Sequence, residues 1–411
     1  MKKKVMSIVA AVLVISMTVC ACGKKEEHTT FTGETTEEPA YQDNLNAISP
    51  SAYNDVQGLD LEPGTYISII GKDSSSSYWK MIKAGVMQAA SDLNKELGYT
   101  GSDKIKVTYN APDKSEDIDE QVNILDEELA RYPDVIGIAS IDADACTVQF
   151  DLATENGIPI ISLDSGSTYQ GIQCRVSTDN VDAARTGAYK LADEINKSGE
   201  VLLLIHDSES ETAKLREQSF VSEIETNYPD VKVAEKIYCD KLDELKKQIV
   251  EEQNKEITEK ENQEITEEKN QDSKEVENQD SKEEEKKITV ESLTDEDVIL
   301  YYLEKHPNIK GVFGTNNAAT QLGLRVLQEY ESEEQIVLMG FDAGADQLKA
   351  LKSGEISGLV VQNPFGIGYA AVVAAARTVL QIGNEAKVNT GYIWVTKENM
   401  ESDSIKKMLY E

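Results

Sequence analysis

Positive charge and histidine are both scarce in this chain. Its 75 acidic residues outnumber its 41 lysines and arginines, which gives a formal net charge of −34 at pH 7, and it contains three histidines. Proteins that bind nucleic acid use lysine and arginine to neutralise phosphates, so this balance argues against a nucleic-acid partner. A soluble, self-repelling exported protein fits the composition better.

The common signatures of hydrolases and metalloenzymes are also missing. The sequence has no HExxH pattern, no GxSxG pattern and no cysteine spacing typical of a metal site. The nearest cofactor motif, GxGxxA at residues 366–371, follows Pro364 and Phe365, and no second βαβ unit comes after it. We therefore predict that the protein is not an enzyme and uses no cofactor and no metal ion.

Cysteine is too sparse for a disulfide framework. Cys20 and Cys22 lie near the N-terminus, and Cys146, Cys174 and Cys239 are irregularly spaced along the rest of the chain. An odd number at irregular spacing is not typical of a disulfide-stabilised fold. We predict that the last three are small buried residues.

The N-terminus has the features of an export signal. The chain begins MKKKVMSIVAAVLVISMTVCACG, in which three lysines precede an apolar run that is short for a membrane span. We predict a signal peptide over residues 1–21. The end of the run resembles a bacterial lipoprotein signal with Cys22 as the lipidated residue, whereas Cys20 fits less well because the bulky Val19 precedes it. An uncleaved N-terminal anchor is the alternative, and either one exports the chain.

Composition then divides the remainder of the chain into a linker and a folded part. Residues 22–62 are polar and show no clear period, which predicts a flexible tether. The rest, about 350 residues, is long for a single core, so we expect two domains.

From Tyr66 onward, apolar runs alternate with amphipathic stretches. TYISIIG has the pattern of a buried strand and the following YWKMIKAGVMQAASDLNKEL that of a helix, and this alternation continues to the end of the chain. Strands that alternate with helices form parallel sheets covered on both faces. The sequence therefore predicts an α/β protein with two doubly wound lobes.

One acidic segment interrupts the alternation. Residues 254–285 consist of four eight-residue units, NKEITEKE, NQEITEEK, NQDSKEVE and NQDSKEEE. Eight residues advance a helix by about 800°, so each unit turns about 80° from the one before and no apolar stripe can persist. This drift excludes a coiled coil. We predict a charged, solvated insertion over residues 246–290 within the second lobe.

Polar residues follow several of the predicted strands at the point where each strand ends. In open α/β sheets, ligands bind in the crevice outside the carboxyl ends of the strands. A single Asp or Asn at such a place is often a helix N-cap, but the repetition over five strands favours a shared site. The residues concerned are Tyr78, Trp79, Asp164, Asn316, Asp342 and Gln362.

Their chemistry suits the recognition of hydroxyl groups. Carboxylates accept hydrogen bonds and amides both donate and accept, as a sugar hydroxyl does. Tyr78 and Trp79 offer an aromatic plane for the apolar face of a sugar ring. The alternative for Trp79 is a place in the core on the buried side of its helix. Asp164 and Asp342 also satisfy the pattern of a glycosidase pair, although binding alone accounts for them.

With these residues in place, the sequence resembles a known family. The segments GIPIISLDSG, VSTDNVDAARTGAYKLA, IKGVFGTNNAATQLG, IVLMGFDAG and GLVVQNPFGIGYAA are similar to those of sugar-binding proteins of bacterial ABC importers, in the ribose and galactose group of the type I periplasmic-binding fold. The resemblance implies the same ligand residues named above. A further ligand position falls on Lys214, with Arg216 two residues later. Pentose binders of the group carry an Arg where Ser165 stands here.

The resemblance also implies the domain organisation. Two lobes joined by a hinge would comprise residues 63–178 plus 363–391 and residues 179–362 plus 392–411. The chain would cross between the lobes near Thr178, Gln362 and Gly391.

The function implied is capture of a neutral sugar or polyol outside the cytoplasm by a monomer held to the membrane through a lipid anchor. The bound protein would deliver its ligand to the permease of an ABC importer. A sensor that presents the bound form to a membrane kinase or chemoreceptor is the alternative. A repressor of the same fold needs an N-terminal DNA-binding domain, and the export signal occupies that place. Asp164 and Asp342 together disfavour an anionic ligand.

Overall fold

The computed structural model describes residues 39–270, 288–331 and 335–410, with side chains up to residue 259 in the first range. No helix within these ranges is both long enough and apolar enough to cross a membrane. The predicted signal peptide over residues 1–21 and the predicted lipidation site Cys22 lie outside the described residues.

The first lobe is built on a parallel six-stranded sheet. Its strands are β1 (Tyr66–Ile70), β2 (Lys106–Asn110), β3 (Val135–Ile138), β4 (Ile160–Leu163), β5 (Ile172–Ser177) and, from late in the chain, β11 (Lys387–Asn389). They lie in the order β11-β5-β4-β3-β1-β2. The helices of this lobe are α1 (Gln42–Asn46), α2 (Ser77–Glu96), α3 (Ile118–Leu129), α4 (Thr147–Glu155) and α11 (Pro364–Val379).

The second lobe repeats this architecture. Its strands are β6 (Gly199–Ile205), β7 (Val231–Tyr238), β8 (Ile309–Gly314), β9 (Val337–Phe341), β10 (Gly358–Gln362) and β12 (Tyr392–Val395), in the order β12-β10-β9-β8-β6-β7. All pairs are parallel except β12 with β10. Its helices are α5 (Asn180–Glu194), α6 (Glu211–Asn227), α7 (Leu242–Asn270), α8 (Asp295–Lys305), α9 (Asn317–Glu329), α10 (Ala345–Ser353) and α12 (Asp403–Lys406).

Both faces of each sheet are covered by helices. In β6, Leu202 and Leu204 belong to a cluster with residues of α7–α10, while Val201, Leu203 and Ile205 pack among residues of α5 and α6. Successive side chains of a strand point to opposite faces, so a strand buried on both faces is apolar throughout. The continuous run VLLLI has this pattern, and the predicted fold of two doubly wound lobes is confirmed.

Three segments cross between the lobes, and side chains join them. They run from β5 to α5, from β10 to α11 and from β11 to β12. Thr178 Oγ1 donates to Gln362 Oε1 at 2.9 Å, which links the first crossing to the second. Asn363 Nδ2 donates to the carbonyl oxygen of Thr390 at 2.8 Å, which links the second to the third. These side-chain hydrogen bonds therefore link all three crossings to one another beneath the space between the lobes.

The prediction of a flexible tether over residues 22–62 is wrong for residues 40–62. Leu45, Ile48, Tyr53 and Leu61 are buried in the first lobe's core together with α2 and α11. Ser49 pairs with Asn389 through two backbone hydrogen bonds of 2.8 and 2.9 Å. The burial of this segment could not be predicted from its polar composition, because its few apolar residues have no period and contact partners that lie far along the chain.

The predicted insertion over residues 246–290 begins later than expected. Ile249 is 3% exposed and packs in the second lobe's core, and Lys246 Nζ lies 2.8 Å from Asp295 Oδ1. Ile257, in the first repeat unit, is also buried. The drift between units prevents a helix from burying one face over several units, but a single unit can still bury one side chain. The first two repeat units continue α7 to Asn270, with side chains described up to residue 259. Residues 271–285 lie outside the described residues, so the solvated character of the later repeats stays a prediction.

Candidate ligand-binding cleft

A cavity of about 450 Å³ lies between the lobes, at the carboxyl ends of both sheets. The first lobe contributes its wall from β1, β4 and the start of α2, and the second from β6, β8, β9 and β10. The lining includes Lys72, Asp73, Tyr78, Trp79, Glu116 and Asp164 from the first lobe, and His206, Thr212, Arg216, Asn316, Asn317, Asp342 and Gln362 from the second and its crossing. Six of the seven predicted ligand residues are thus brought together.

The prediction of Lys214 as a ligand residue is wrong in position. Its side chain is exposed and its Nζ donates to the carbonyl oxygen of Glu209 at 2.9 Å, on a groove separate from the cavity. Arg216 lines the cavity instead and is 3% exposed. Two residues along a helix are about 200° apart, so Lys214 and Arg216 lie on opposite sides of α6.

Arg216 is held firmly by neighbours in its own lobe. Its Nε donates to Asn180 Oδ1 at 2.8 Å and its Nη1 donates to the carbonyl oxygen of Thr315 at 2.7 Å. The guanidinium carbon lies 4.1 Å from the centre of the Phe341 ring, in a cation–π contact. Arg216 therefore presents a fixed positive charge beside the cavity.

The aromatic pair opens α2, and its two members lie in different surroundings. Ser76 is the N-cap, and its Oγ accepts from the amide of Trp79 at 3.4 Å. Trp79 is 7% exposed and packs in the first lobe's core, as the core alternative predicts. It also lines the cavity, and its contact with a sugar ring stays a prediction. Tyr78 is half-buried and its hydroxyl donates to Asp164 Oδ1 at 2.5 Å. Their rings meet edge to face, with centres 5.5 Å apart.

The two cleft aspartates share an unusual backbone conformation. Asp164 follows β4 with φ of 55°, and Asp342 follows β9 with φ of 76°. Positive φ is uncommon outside glycine and is tolerated best by short polar residues such as Asp. Such strained positions often occur at functional sites. Here the same turn geometry recurs in both lobes and places a carboxylate on each wall of the cavity.

Asp342 is the more densely bonded of the two. Its Oδ1 accepts from Gln362 Nε2 at 2.9 Å, and its Oδ2 accepts from the amide of Asn317 at 2.9 Å. Burial raises the pKa of Asp342, and the Arg216 guanidinium together with these donors offsets part of that rise. Asn316 caps α9 through an Oδ1 that accepts from the amide of Ala319 at 2.8 Å.

Two lining residues escaped the sequence prediction although the same rule would have found them. Lys72 follows β1 and His206 follows β6, at the same edge as the other strand-end residues. Lys72 is 5% exposed, and its Nζ has no hydrogen-bonding partner among the described residues. Burial lowers the pKa of His206, so its imidazole is neutral, and Nδ1 lies 2.7 Å from Thr315 Oγ1. The prediction takes Tyr78 and Trp79 from the turn after β1 and omits Lys72 and the neighbouring Asp73, which also lines the cavity.

An ion pair joins the lobes at one side of the cleft. Glu211, in the first turn of α6, pairs with Arg175 of β5, and the amide of Gly166 donates to Glu211 Oε2 at 3.1 Å. A side chain at position 166 would overlap both partners, because its Cβ would lie 2.3 Å from Glu211 Oε2. Glycine at this position therefore makes room for the contact between lobes.

Comparison with known proteins agrees with this geometry. A model of the periplasmic binding protein domain matches residues 67–260 and 294–384. Among curated proteins, the chain is 23% identical to the ribose import binding protein of Bacillus subtilis, over 64% of this chain and 68% of that protein. It is 20% identical to the xylitol-binding protein of Mycolicibacterium smegmatis, over 74% of this chain and 72% of that one.

Solved structures show the same fold. A carbohydrate transporter solute-binding protein from Agrobacterium radiobacter, in complex with D-arabinose, is 26% identical with a TM-score of 0.65, over 84% of this chain and 98% of that one. An ABC transporter solute-binding protein from Agrobacterium vitis, bound with α-D-tagatopyranose, is 21% identical with the same TM-score, over 84% and 99%. The family match spans more than half of the chain, and the chain therefore belongs to the periplasmic binding proteins, with the type I fold.

Proposed function

We propose that this protein is an extracytoplasmic solute-binding lipoprotein that captures a neutral sugar or polyol between its lobes and delivers it to an ABC importer. The observation that carries the proposal is the cavity itself. Strand-end residues of both sheets, among them Asp164, Asp342 and Gln362, face one space between two lobes that three chain crossings connect.

The lining matches a neutral ligand rich in hydroxyl groups. Asp164 and Asp342 accept hydrogen bonds from hydroxyls, Lys72 donates to them, and Gln362 and Asn316 supply mixed amide groups. A hydrogen bond to a charged group contributes about 1.5–3 kcal/mol, so a few of them give specificity. Five acidic side chains in the lining outnumber Lys72 and Arg216, which disfavours an anionic ligand.

Closure of the lobes follows from their connections. The three short crossings have the arrangement of a hinge of the type used by periplasmic binding proteins. The contact of Glu211 with Arg175 and Gly166 joins the lobes beside the cavity and would form only when they are close together. A closed form that buries the ligand is the form an importer's permease would recognise.

Lipid attachment at Cys22 is the proposed route to the membrane, and the protein is proposed to act as a monomer. Support comes from the sequence VCAC that ends the apolar run. Mass spectrometry of the mature N-terminus tests the attachment, and a product that begins elsewhere without lipid would contradict it. Light scattering of the mature protein tests its monomeric state.

A thermal-shift screen of sugars and polyols tests the ligand class. A ligand that binds only the folded state raises the melting temperature by mass action, and the panel includes D-ribose, xylitol, D-arabinose and D-tagatose. Asp342→Ala is expected to lose affinity for the best ligand, while Asp230→Ala, on the exposed surface of the same lobe, keeps it. Equal affinity of Asp342→Ala and wild type would contradict the assignment of the cleft.

A further inference from the structure

The C-terminal segment reaches the back of the cleft. After β12 the chain passes through α12, and Met400, Met408 and Tyr410 are buried in the second lobe. Tyr410 is 2% exposed, and its hydroxyl donates to Asp342 Oδ1 at 3.1 Å. It does not belong to the lining of the cavity. Tyr410 therefore contacts a cleft carboxylate from behind.

The same tyrosine also contacts the opposite lobe. Its ring meets the ring of Tyr78 at an angle of 64°, with the centres 5.8 Å apart. The Tyr78 hydroxyl in turn donates to Asp164. Asp164, Tyr78, Tyr410 and Asp342 thus form a continuous chain of contacts that joins the cleft carboxylate of one lobe to that of the other.

The hydrogen bonds on Asp342 show what Tyr410 achieves. An ionised carboxylate has about four acceptor positions, two on each oxygen. Gln362 and Tyr410 both donate to Oδ1, and the amide of Asn317 donates to Oδ2. Oδ1 is therefore saturated, and the remaining acceptor position lies on Oδ2. A ligand hydroxyl that binds Asp342 has one defined place to do so.

We propose that Tyr410 is a positioning residue for ligand binding, which holds the Asp342 carboxylate and the Tyr78 ring in the arrangement that the ligand requires. The inference rests on the proposed function of the cleft. Tyr410 would act without touching the ligand, through one hydrogen bond and one ring contact. Burial raises the pKa of both tyrosines well above the ordinary value, so their hydroxyls remain donors at physiological pH.

Removal of the Tyr410 hydroxyl is expected to change the pKa of Asp342. The groups that face Asp342 are Arg216 on α6, Gln362 on β10, the amide of Asn317 on α9, Tyr410 and, from the opposite lobe, the neutral Tyr78. The first four favour the ionised carboxylate. Without one donor, the pKa of Asp342 rises further. Ligand binding needs the ionised form, so in Tyr410→Phe affinity is lost at a higher pH on acidification than in wild type.

The experiment compares Tyr410→Phe with wild type and with Tyr238→Phe. Tyr238 lies in the same lobe, and its hydroxyl also donates to a carboxylate, Glu217, at 2.9 Å, away from the cleft. Affinity for the best sugar in the screen is measured by calorimetry across the acid range, and the titration of Asp342 is followed by carbon-13 NMR without ligand. Tyr410→Phe is expected to weaken binding about tenfold, equivalent to about 1.4 kcal/mol, and to raise the pKa of Asp342. Tyr238→Phe is expected to change neither.

The outcomes separate this inference from the proposed function. Binding by wild type together with an unchanged affinity and Asp342 titration in Tyr410→Phe would overturn the inference and leave the function intact. A Tyr410→Phe protein that melts far below Tyr238→Phe would make the residue structural and would also overturn it. A wild-type protein that binds no sugar or polyol would overturn the proposed function, and the inference with it.

Discussion

Asn363 and Asn44, 319 residues apart in the chain, hold each other through two hydrogen bonds. Asn44 Nδ2 donates to Asn363 Oδ1 at 3.0 Å, and Asn363 Nδ2 donates to the carbonyl oxygen of Asn44 at 2.7 Å. Asn363 also donates to the carbonyl oxygen of Thr390 in the third crossing. The N-terminal segment of residues 40–62 is therefore bonded directly to the hinge.

Replacement of Asn363 by Ala is expected to destabilise the protein by a few kcal/mol. The change leaves the buried carbonyl oxygens of Asn44 and Thr390 without this donor, and a buried unpaired group costs about 1–3 kcal/mol. Denaturant unfolding measures the loss. Asn227→Ala is the control, because Asn227 is exposed and donates to Glu223 alone. Equal stability of the two variants would show that water replaces the lost bonds.

Glu211→Gln is expected to weaken ligand binding about fivefold. Glu211 and Arg175 are about three-quarters buried, and their pairing across the lobes favours the closed form. A pair of this kind contributes about 1 kcal/mol. Calorimetry with the best sugar measures the change, and a double-mutant cycle with Arg175→Met isolates the pair. Glu296→Gln, which breaks a pair with Arg325 inside the second lobe, is the control. Equal sugar affinity of Glu211→Gln and Glu296→Gln would contradict the prediction that the pair between the lobes favours the closed form.

Substitution of residues 260–285 by a short Gly-Ser linker is expected to leave folding and sugar affinity nearly unchanged. Asn254 and Ile288 exchange two hydrogen bonds of 2.9 and 3.0 Å, so the chain leaves and re-enters the lobe at one place. Loop closure changes by only about 0.6 kcal/mol per doubling of length. Melting temperature and calorimetry are the measurements.

The control for the repeats is a longer deletion that begins at Asn254. It removes the bonds to Ile288 and the buried side chain of Ile257, and it is expected to lower the melting temperature. A tenfold loss of affinity in the linker variant, about 1.4 kcal/mol, would mean that the repeats reach the cleft.

Acid is expected to destabilise the fold in part through His206. Burial holds the pKa of His206 below its ordinary value of about 6.5, and this effect outweighs the nearby Asp207 carboxylate. Below pH 6.5 the His206 side chain is protonated in the unfolded chain but stays neutral in the folded protein. The free energy of unfolding therefore falls as the pH is lowered towards the pKa of His206 in the folded state. The slope is about 1.4 kcal/mol per pH unit for one such group.

His206→Gln removes this contribution and is expected to lose less stability than wild type as the pH falls from 6.5 to 4.5. Denaturant unfolding at several pH values makes the comparison. Parallel loss of stability in the two proteins would assign the acid sensitivity to the carboxylates alone.

The local pattern of apolar and polar residues was sufficient to predict the architecture and most of the residues that line the cleft. Apolar runs such as VLLLI alternate with amphipathic helices, and burial on both faces of a parallel sheet leaves this pattern in any sequence that forms one. The carboxyl ends of parallel strands meet at one edge, so Asp164, Asp342 and Gln362 could be placed together without a structure. These relationships depend on neighbours along the chain and on one general rule of topology.

Only the tertiary structure decided which residues complete the site and the hinge. Lys214 and Arg216 differ in helical phase, and the packing of α6 determines which of them reaches the cavity. Residues 40–62 and Tyr410 have no periodic pattern, because their few buried side chains meet partners such as Asn363 and Asp342 that lie 319 and 68 residues away. The sequence alone determined the layers and the strand-end cleft, since both follow from local periodicity. Contacts between distant residues determined the rest, since complementary side chains far apart in the chain leave no local signature.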